Sequence, residues 1–206
     1  MTPVPPPIRP AFGVHSLHPD APAGAVALTV DDGPHPRWTP KVLDLLAEYQ
    51  VRATFFVIGK KVRQFPDLTQ RITAAGHAIG NHTMHHPQPF AALDEERITR
   101  EVVQAQRHIE DATRVAPRLF RAPAGEWSAQ VLAAATEAGL IPVDWSVDPK
   151  DWSHPGTAHI ARTLRRSNGG DILICHDGGR DATPTIDALA AVIPELKQRC
   201  LQFVAL

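Results

Sequence analysis

The sequence predicts an α/β fold: a distorted (β/α) barrel of about seven parallel strands, with its functional site at the carboxyl ends of those strands. Three observations carry that expectation. From Ala25 onward, short apolar runs alternate with longer amphipathic stretches, the pattern of a parallel sheet with helical crossovers. The seven runs, at residues 25–30, 53–58, 78–81, 118–121, 141–144, 171–175 and 202–206, favour a closed or nearly closed barrel over an open doubly wound sheet. Charged and imidazole groups recur where runs end: Asp31-Asp32, Asn81-His82, Arg121, Asp144 and His176. In barrels of this type, chemistry is assembled at such ends.

Residues 1–23, rich in Pro and Ala with little periodicity, read as an extended arm lying on or leaving the body, and residues 24–206 as one domain. The first run is apolar and β-branched, as in a buried strand, and stops at Asp31-Asp32-Gly33-Pro34. Neighbouring side chains on a strand point to opposite faces. The two acids can share a site only if the chain leaves the strand there, as Gly33-Pro34 implies; a plain solvated turn is the competing reading. The helix predicted over 39–49 buries Val42, Leu45, Leu46 and Tyr49 against solvated Lys41, Asp44 and Glu48. Pro66 interrupts the next pattern, over 61–75, and starts a fresh helix. Ile98, Val102, Ala105 and Ile109 give the buried face of 94–113. Helices at 129–138, 157–167 and 183–199 complete the alternation, and Gly76 and Gly139 stand where helix C-caps belong.

Composition narrows the function. The 206 residues carry 21 basic and 22 acidic side chains, which leaves no electrostatic footprint for nucleic acid or an anionic membrane and suits a neutral substrate. No apolar run reaches membrane-spanning length. The amino terminus lacks the basic-then-apolar pattern of a signal peptide, so the expectation is a cytoplasmic protein or an export segment left off this chain. Two cysteines, Cys175 and Cys200, make no disulfide framework and read as small buried thiols. Nothing in the sequence bears on oligomeric state.

The densest cluster is Gly80-Asn81-His82-Thr83-Met84-His85-His86-Pro87. One helix-like turn would aim His82 and His86 the same way; His85, three residues on, rivals His86, and a solvated His-rich loop is the bland alternative. Two imidazoles with a carboxylate from the first strand end would make a hydrolytic zinc site with positions left for water and substrate. The same donors also suit a non-haem ferrous oxygenase. Paired-carboxylate glycoside hydrolysis is disfavoured, because adjacent acids leave no room for a sugar between them.

Five ordered motifs then carry a family resemblance: Thr29-Val30-Asp31-Asp32-Gly33, His82-Thr83-Met84-His85-His86, Arg121-Ala122-Pro123-Ala124-Gly125, Asp148-Pro149-Lys150-Asp151-Trp152 and Leu173-Ile174-Cys175-His176. From about Ala25 to Leu206 the chain resembles the polysaccharide deacetylase family, the NodB-homology domain or carbohydrate esterase family four. The resemblance implies that Asp32, His82 and His86 bind a divalent metal, zinc foremost, with cobalt, nickel or manganese as alternatives. It implies Asp31 as general base, Arg121 as its hydrogen-bond partner, and Asp151 as partner of His176, the general acid to the leaving amine. Ala124, Trp152 and Ile174 are the implied substrate-binding residues, Ala124 through its backbone N–H. The family's aromatic is replaced by Ala124, which removes one wall of the groove. The implied activity is metal-dependent removal of N-acetyl groups from N-acetylglucosamine-containing sugars of the chitin-oligomer or peptidoglycan type. O-deacetylation of a xylan-type polysaccharide, small-amide hydrolysis, or a catalytically silent carbohydrate-binding protein are the alternatives. The family's setting is secreted or cell-envelope. Trp38, Trp127 and Trp145 are further candidates for sugar stacking, with core packing the blander use of each; His77 reads as structural and His35 as a rim residue at most.

Overall fold

The computed structural model describes residues 9–179 and 181–206. Seven parallel strands are described: β1 (Ala25–Asp31), β2 (Thr54–Val57), β3 (Ala78–Asn81), β4 (Leu119–Phe120), β5 (Ile141–Pro142), β6 (Ile172–His176) and β7 (Gln202–Phe203). Their order is β5-β4-β3-β2-β1-β6, with β7 paired to the start of β1. Helices α1 (Val14–Leu17), α2 (Trp38–Glu48), α3 (Gly59–Gln64), α4 (Pro66–Ala74), α5 (Glu95–Thr113), α6 (Ala129–Glu137), α7 (Thr157–Leu164) and α8 (Thr183–Gln198) complete the fold.

β1 explains the layering. Val26, Leu28 and Val30 point outward into the main core, where they meet α2 through Leu46 and α8 through Leu189 and Val192. Ala25 and Ala27 point inward with Phe56, Val143 and Ile172. This period-2 alternation puts Thr29 and Asp31 on the inner face, because they continue the alanine row. A second outer core forms where Ile98 and Val102 of α5 meet Phe120, Val131 and Ala135.

The sheet curls into a half-barrel and does not close by strand pairing between β5 and β6. That seam is spanned by single bridges: Val147 to Leu173, Ala11 to Val143 and Gly13 to Asp171. Of the proposed arm, residues 1–8 lie outside the described residues. Residues 11–17 lie on the body, where Ala11 N–H donates to Pro142 O and Val14 is fully buried.

Pro66 does begin a new helix, which divides the predicted 61–75 stretch into α3 and α4. Asp94 caps α5, its side chain accepting from Arg97 N–H, and Gly76 and Gly139 take the left-handed conformation that ends a helix. Cys200 corrects the expectation of two buried thiols: Cys175 is buried, but Cys200 is exposed with φ 62 just beyond α8. Cys200 lies in the turn between α8 and β7, outside the core that its apolar neighbour Leu201 joins. Among the described residues no helix is long and apolar enough to cross a membrane.

Candidate active site

Asp31 ends β1, and its register partner on β6 is His176, so two distant residues arrive side by side. Asp32 leaves the strand with φ 72. That left-handed step turns the second carboxylate toward the same rim as the first, as the Gly33-Pro34 break implied. His82 Nε2 lies 3.4 Å from Asp32 Oδ1 and 3.8 Å from Asp31 Oδ2, and His86 Nε2 lies 3.3 Å from Asp32 Oδ1.

His82 is 2 % exposed, and its Nδ1 is 2.7 Å from the Arg121 carbonyl oxygen. A carbonyl can only accept, so Nδ1 carries the proton and the Nε2 lone pair faces the carboxylates, the tautomer a metal ligand requires. The 82–86 loop does not contain the expected helix-like turn. Thr83 (φ 65) and His86 (φ 55) are both left-handed, and the loop is fixed by Thr83 N–H on Asn81 Oδ1 (2.9 Å) and His86 N–H on Thr83 Oγ1 (3.0 Å). These side-chain contacts replace the helical ladder and still bring the two imidazoles to 4.8 Å between ring centroids. His85, the rival, points away to Glu101, whose carboxylate accepts from its Nδ1 at 2.8 Å and its N–H at 2.7 Å.

The donor atoms of Asp32, His82 and His86 all lie within 4.8 Å of one another. Asp32 Oδ1 is buried with no hydrogen-bond partner, a costly arrangement unless a cation completes it. Burial alone would push the Asp32 pKa up. The neighbouring imidazoles of His82 and His86 and the charge on His176 outweigh it and hold the carboxyl well below its usual range. An ionised carboxylate with two imidazoles fits a divalent cation.

Arg121, wholly buried, reaches the other acid. Its Nη1 donates to Asp31 Oδ1 (2.8 Å) and Thr29 Oγ1 (2.7 Å), and its Nη2 to the Asp144 carbonyl (2.9 Å). The guanidinium carbon stands 4.1 Å from the Phe56 ring centroid and 5.6 Å from that of Trp145. Opposite, Asp151 accepts from His176 Nδ1 (2.7 Å), His176 N–H (2.8 Å) and Thr185 Oγ1 (3.0 Å). Burial opposes a charge on His176, but the Asp151 hydrogen bond and charge, with Asp31 and Asp32 behind them, raise its pKa to about 9.

One cleft of about 350 Å³ is lined by eight of the ten predicted site residues: Asp31, Asp32, His82, His86, Ala124, Trp152, Ile174 and His176. Arg121 and Asp151 stand behind it as partners of Asp31 and His176. Trp152 is 61 % exposed at the mouth and Ile174 is buried in the wall. Trp145, Asp148 and Gln88 also line the cleft. Trp145 packs so closely on Gly125 (φ 65) that a Cβ there would lie 2.9 Å from the indole. Trp38 is buried and Trp127 packs in the second core, donating Nε1–H to Asp144 at 2.8 Å. His77 accepts Ala53 N–H at its ring, and His35 accepts Arg37 N–H, both without lining the cleft. A wider groove of about 750 Å³ along α5 and α6 carries Glu95, Arg100, Arg107 and Glu137 and gathers no comparable donor set.

Sequence reasoning missed Asp148 and Gln88, although Asp148 shares a motif with Asp151 and Gln88 sits between Pro87 and Pro89. It also missed Asp177, fully buried beside Thr39 Oγ1, and Lys61, which reaches two loops of the site.

Residues 18–143 match the family model described as Polysaccharide deacetylase. A peptidoglycan-N-acetylglucosamine deacetylase of Bacillus cereus is 41% identical over 182 residues, covering 87% of this chain and 84% of its own. A chitooligosaccharide deacetylase of Sinorhizobium fredii is 44% identical over 189 residues, covering 86% and 87%. The crystal structure of a peptidoglycan N-acetylglucosamine deacetylase bound to an N-oxidanyl-benzamide superposes with TM-score 0.87 at 35% identity, over 95% of this chain and 90% of that one. A family-four pseudoenzyme of Bacillus anthracis superposes with TM-score 0.85 at 27% identity, over 96% and 67%.

Proposed function

This chain belongs to the polysaccharide deacetylase family, and from that premise we propose that it is a divalent-metal-dependent hydrolase that removes N-acetyl groups from N-acetylglucosamine-containing sugars and releases acetate. One observation carries the reading most strongly: the buried, unpartnered Asp32 Oδ1 lies between two imidazole nitrogens, in the same cleft as Asp31 and His176. Asp32, His82 and His86 would hold the cation. Zinc is the first choice for two imidazoles and a carboxylate, with cobalt, nickel or manganese able to replace it. When bound, such an ion supplies Lewis acidity toward water and the amide carbonyl.

The chain's own residues do the rest. Arg121 holds Asp31 Oδ1, which leaves Oδ2 on the side of His82 to accept the proton of the attacking water. The Ala124 backbone N–H at the cleft donates to the carbonyl oxygen as negative charge develops there. His176, cationic at neutral pH through Asp151, gives its proton to the amide nitrogen as the C–N bond breaks. Water and the acetamide thus become acetate and a free amine. Trp152 and Ile174 border the space for the sugar and acetyl group.

Acetate release from chitin oligomers, peptidoglycan and acetylated xylan, measured on zinc-loaded protein, tests this reading. N-acetyl sugars are the expected substrates. Activity on xylan esters alone would make it an O-acetyl esterase, and sugar binding without acetate from any substrate would refute the enzymatic reading. Relatives include a pseudoenzyme of the same fold, so the fold alone does not decide this.

A further inference from the structure

We propose that Lys61 is a positioning residue for both halves of the site, and that the first turn of α3 is where the loops bearing those halves are tied together. The inference rests on the metal site proposed above. Four consecutive residues make the ties. Ile58 N–H donates to Gly33 O (2.9 Å), Gly59 N–H to Thr83 O (2.9 Å) and Lys60 N–H to Met84 O (2.8 Å). Lys61 Nζ then donates to Asp32 O (2.7 Å) and to Gly178 O (3.0 Å). The loop after β1, the loop between His82 and His86 and the loop after His176 therefore all end on one turn, none of whose residues lines the cleft.

The physical reasons differ along the turn. The first N–H groups of a helix have no partner within it, so they are free to hold neighbouring carbonyls. Gly59 permits the approach: a Cβ there would sit 2.7 Å from Met84 Sδ and 2.9 Å from Ala105 Cα. Lys61 acts on two carbonyls that no main-chain donor among the described residues reaches. Asp32 has φ 72, a conformation that persists in an L-residue only when its surroundings over-determine it. The ammonium on its carbonyl supplies that determination. A Cβ at Gly178 would lie 2.2 Å from Asp32 O, so the two loops touch, and the same ammonium joins their carbonyls. Lys61 thereby sets the distance from the Asp32 carboxylate to His176, two residues before Gly178, without meeting substrate.

The test compares wild type with Lys61→Met, Lys61→Arg and the exposed neighbour control Lys60→Met. Methionine keeps the length and removes the donors; arginine keeps donors in another geometry. Zinc affinity is read by competition with a chromophoric chelator, and site geometry by the visible spectrum of the cobalt(II)-loaded protein. Turnover is read as kcat and KM on a chitin oligomer at saturating metal. For Lys61→Met, zinc binding about 10- to 100-fold weaker, altered cobalt bands and a kcat loss with unchanged KM are expected. Lys61→Arg should recover part of each, and Lys60→Met should match wild type. Zinc affinity and cobalt spectrum unchanged in Lys61→Met would overturn the proposal. So would a Lys61→Met protein with no cooperative thermal transition, since Lys61 would then be needed for folding itself. A wild type that binds zinc but deacetylates no sugar would refute the proposed function, and the metal measurements would still judge Lys61.

Discussion

Replacing Asp151 with Asn isolates the charge on which the proposed role of His176 as acid depends. Asp151 is 4 % exposed, and its Oδ1 accepts from His176 Nδ1 at 2.7 Å. Asn in the same position keeps an oxygen for that N–H and removes the negative charge. The pKa of about 9 stands about 2.5 units above the ordinary 6.5, which is about 3 kcal/mol favouring the imidazolium. Without Asp151 the value falls toward 6.5, and at about pH 8 the protonated fraction drops from about 0.9 to about 0.03, roughly 30-fold. The assay is acetate release across about pH 5.5 to about pH 10. The alkaline limb of kcat should move about two units toward acid, and an NMR titration of the His176 ring in metal-free protein should move with it. Stability gives an independent sign. A histidine whose folded pKa is raised stabilises in full below the unfolded value, about 6.5, and loses that contribution as pH rises through about 9. The thermal midpoint of the variant should therefore lag wild type most in acid, and the gap should close at high pH. An alkaline limb left in place would refute the assignment of His176 as acid.

Asp31→Asn should retain zinc and lose acetate release by several orders of magnitude, whereas His82→Ala should lose both; metal analysis beside the activity assay separates them, and turnover by Asp31→Asn would sink the base assignment. Arg121→Met strands a buried carboxylate, so thermal or urea unfolding should show a loss of about 3–5 kcal/mol at neutral pH. Asp177 is fully buried, and burial raises its pKa to about 7 despite Thr39 and Lys61. An acid with a raised folded pKa favours the native state below the unfolded value of about 4 and loses that preference as pH rises through about 7. Asp177→Asn should thus raise the melting temperature at pH 8 and change it little at pH 4, and a gain of equal size at both would contradict the burial argument.

Sequence and structure agree where a simple pattern carries the information. An apolar run that switches to Asp, His or Arg marks a strand end, and for Asp31, His82, Arg121 and His176 that switch was legible. The i, i+4 spacing of His82 and His86 pointed to convergence, but the means was hidden. Left-handed Thr83 and His86 leave no periodic trace, and the choice against His85 depends on Glu101, distant in the chain. Lys61 was illegible for a related reason: its partners are two main-chain carbonyls, which every residue possesses. The bridges of residues 11–17 were equally silent, since a backbone contact without an apolar repeat reads as a loose arm.

The seam between β5 and β6 gives the molecule two separately editable parts. Asp32, His82 and His86 stand on the continuous β1–β3 sheet, where each loop is tied to α3. Trp145, Asp148 and Trp152 ride on a segment attached to β6 by Ser146 and Val147 N–H on Ile172 O and by Ile174 N–H on Val147 O. That segment is no strand, and beyond those attachments it is fixed by Asp151 on His176 and Thr185, so residues between these fixed points can be exchanged without shifting the register of the half bearing Asp32, His82 and His86. The residues around Asp151 on that stretch can be rewritten while Asp151 stays held by His176 and Thr185 and the half bearing Asp32, His82 and His86 is inherited unchanged.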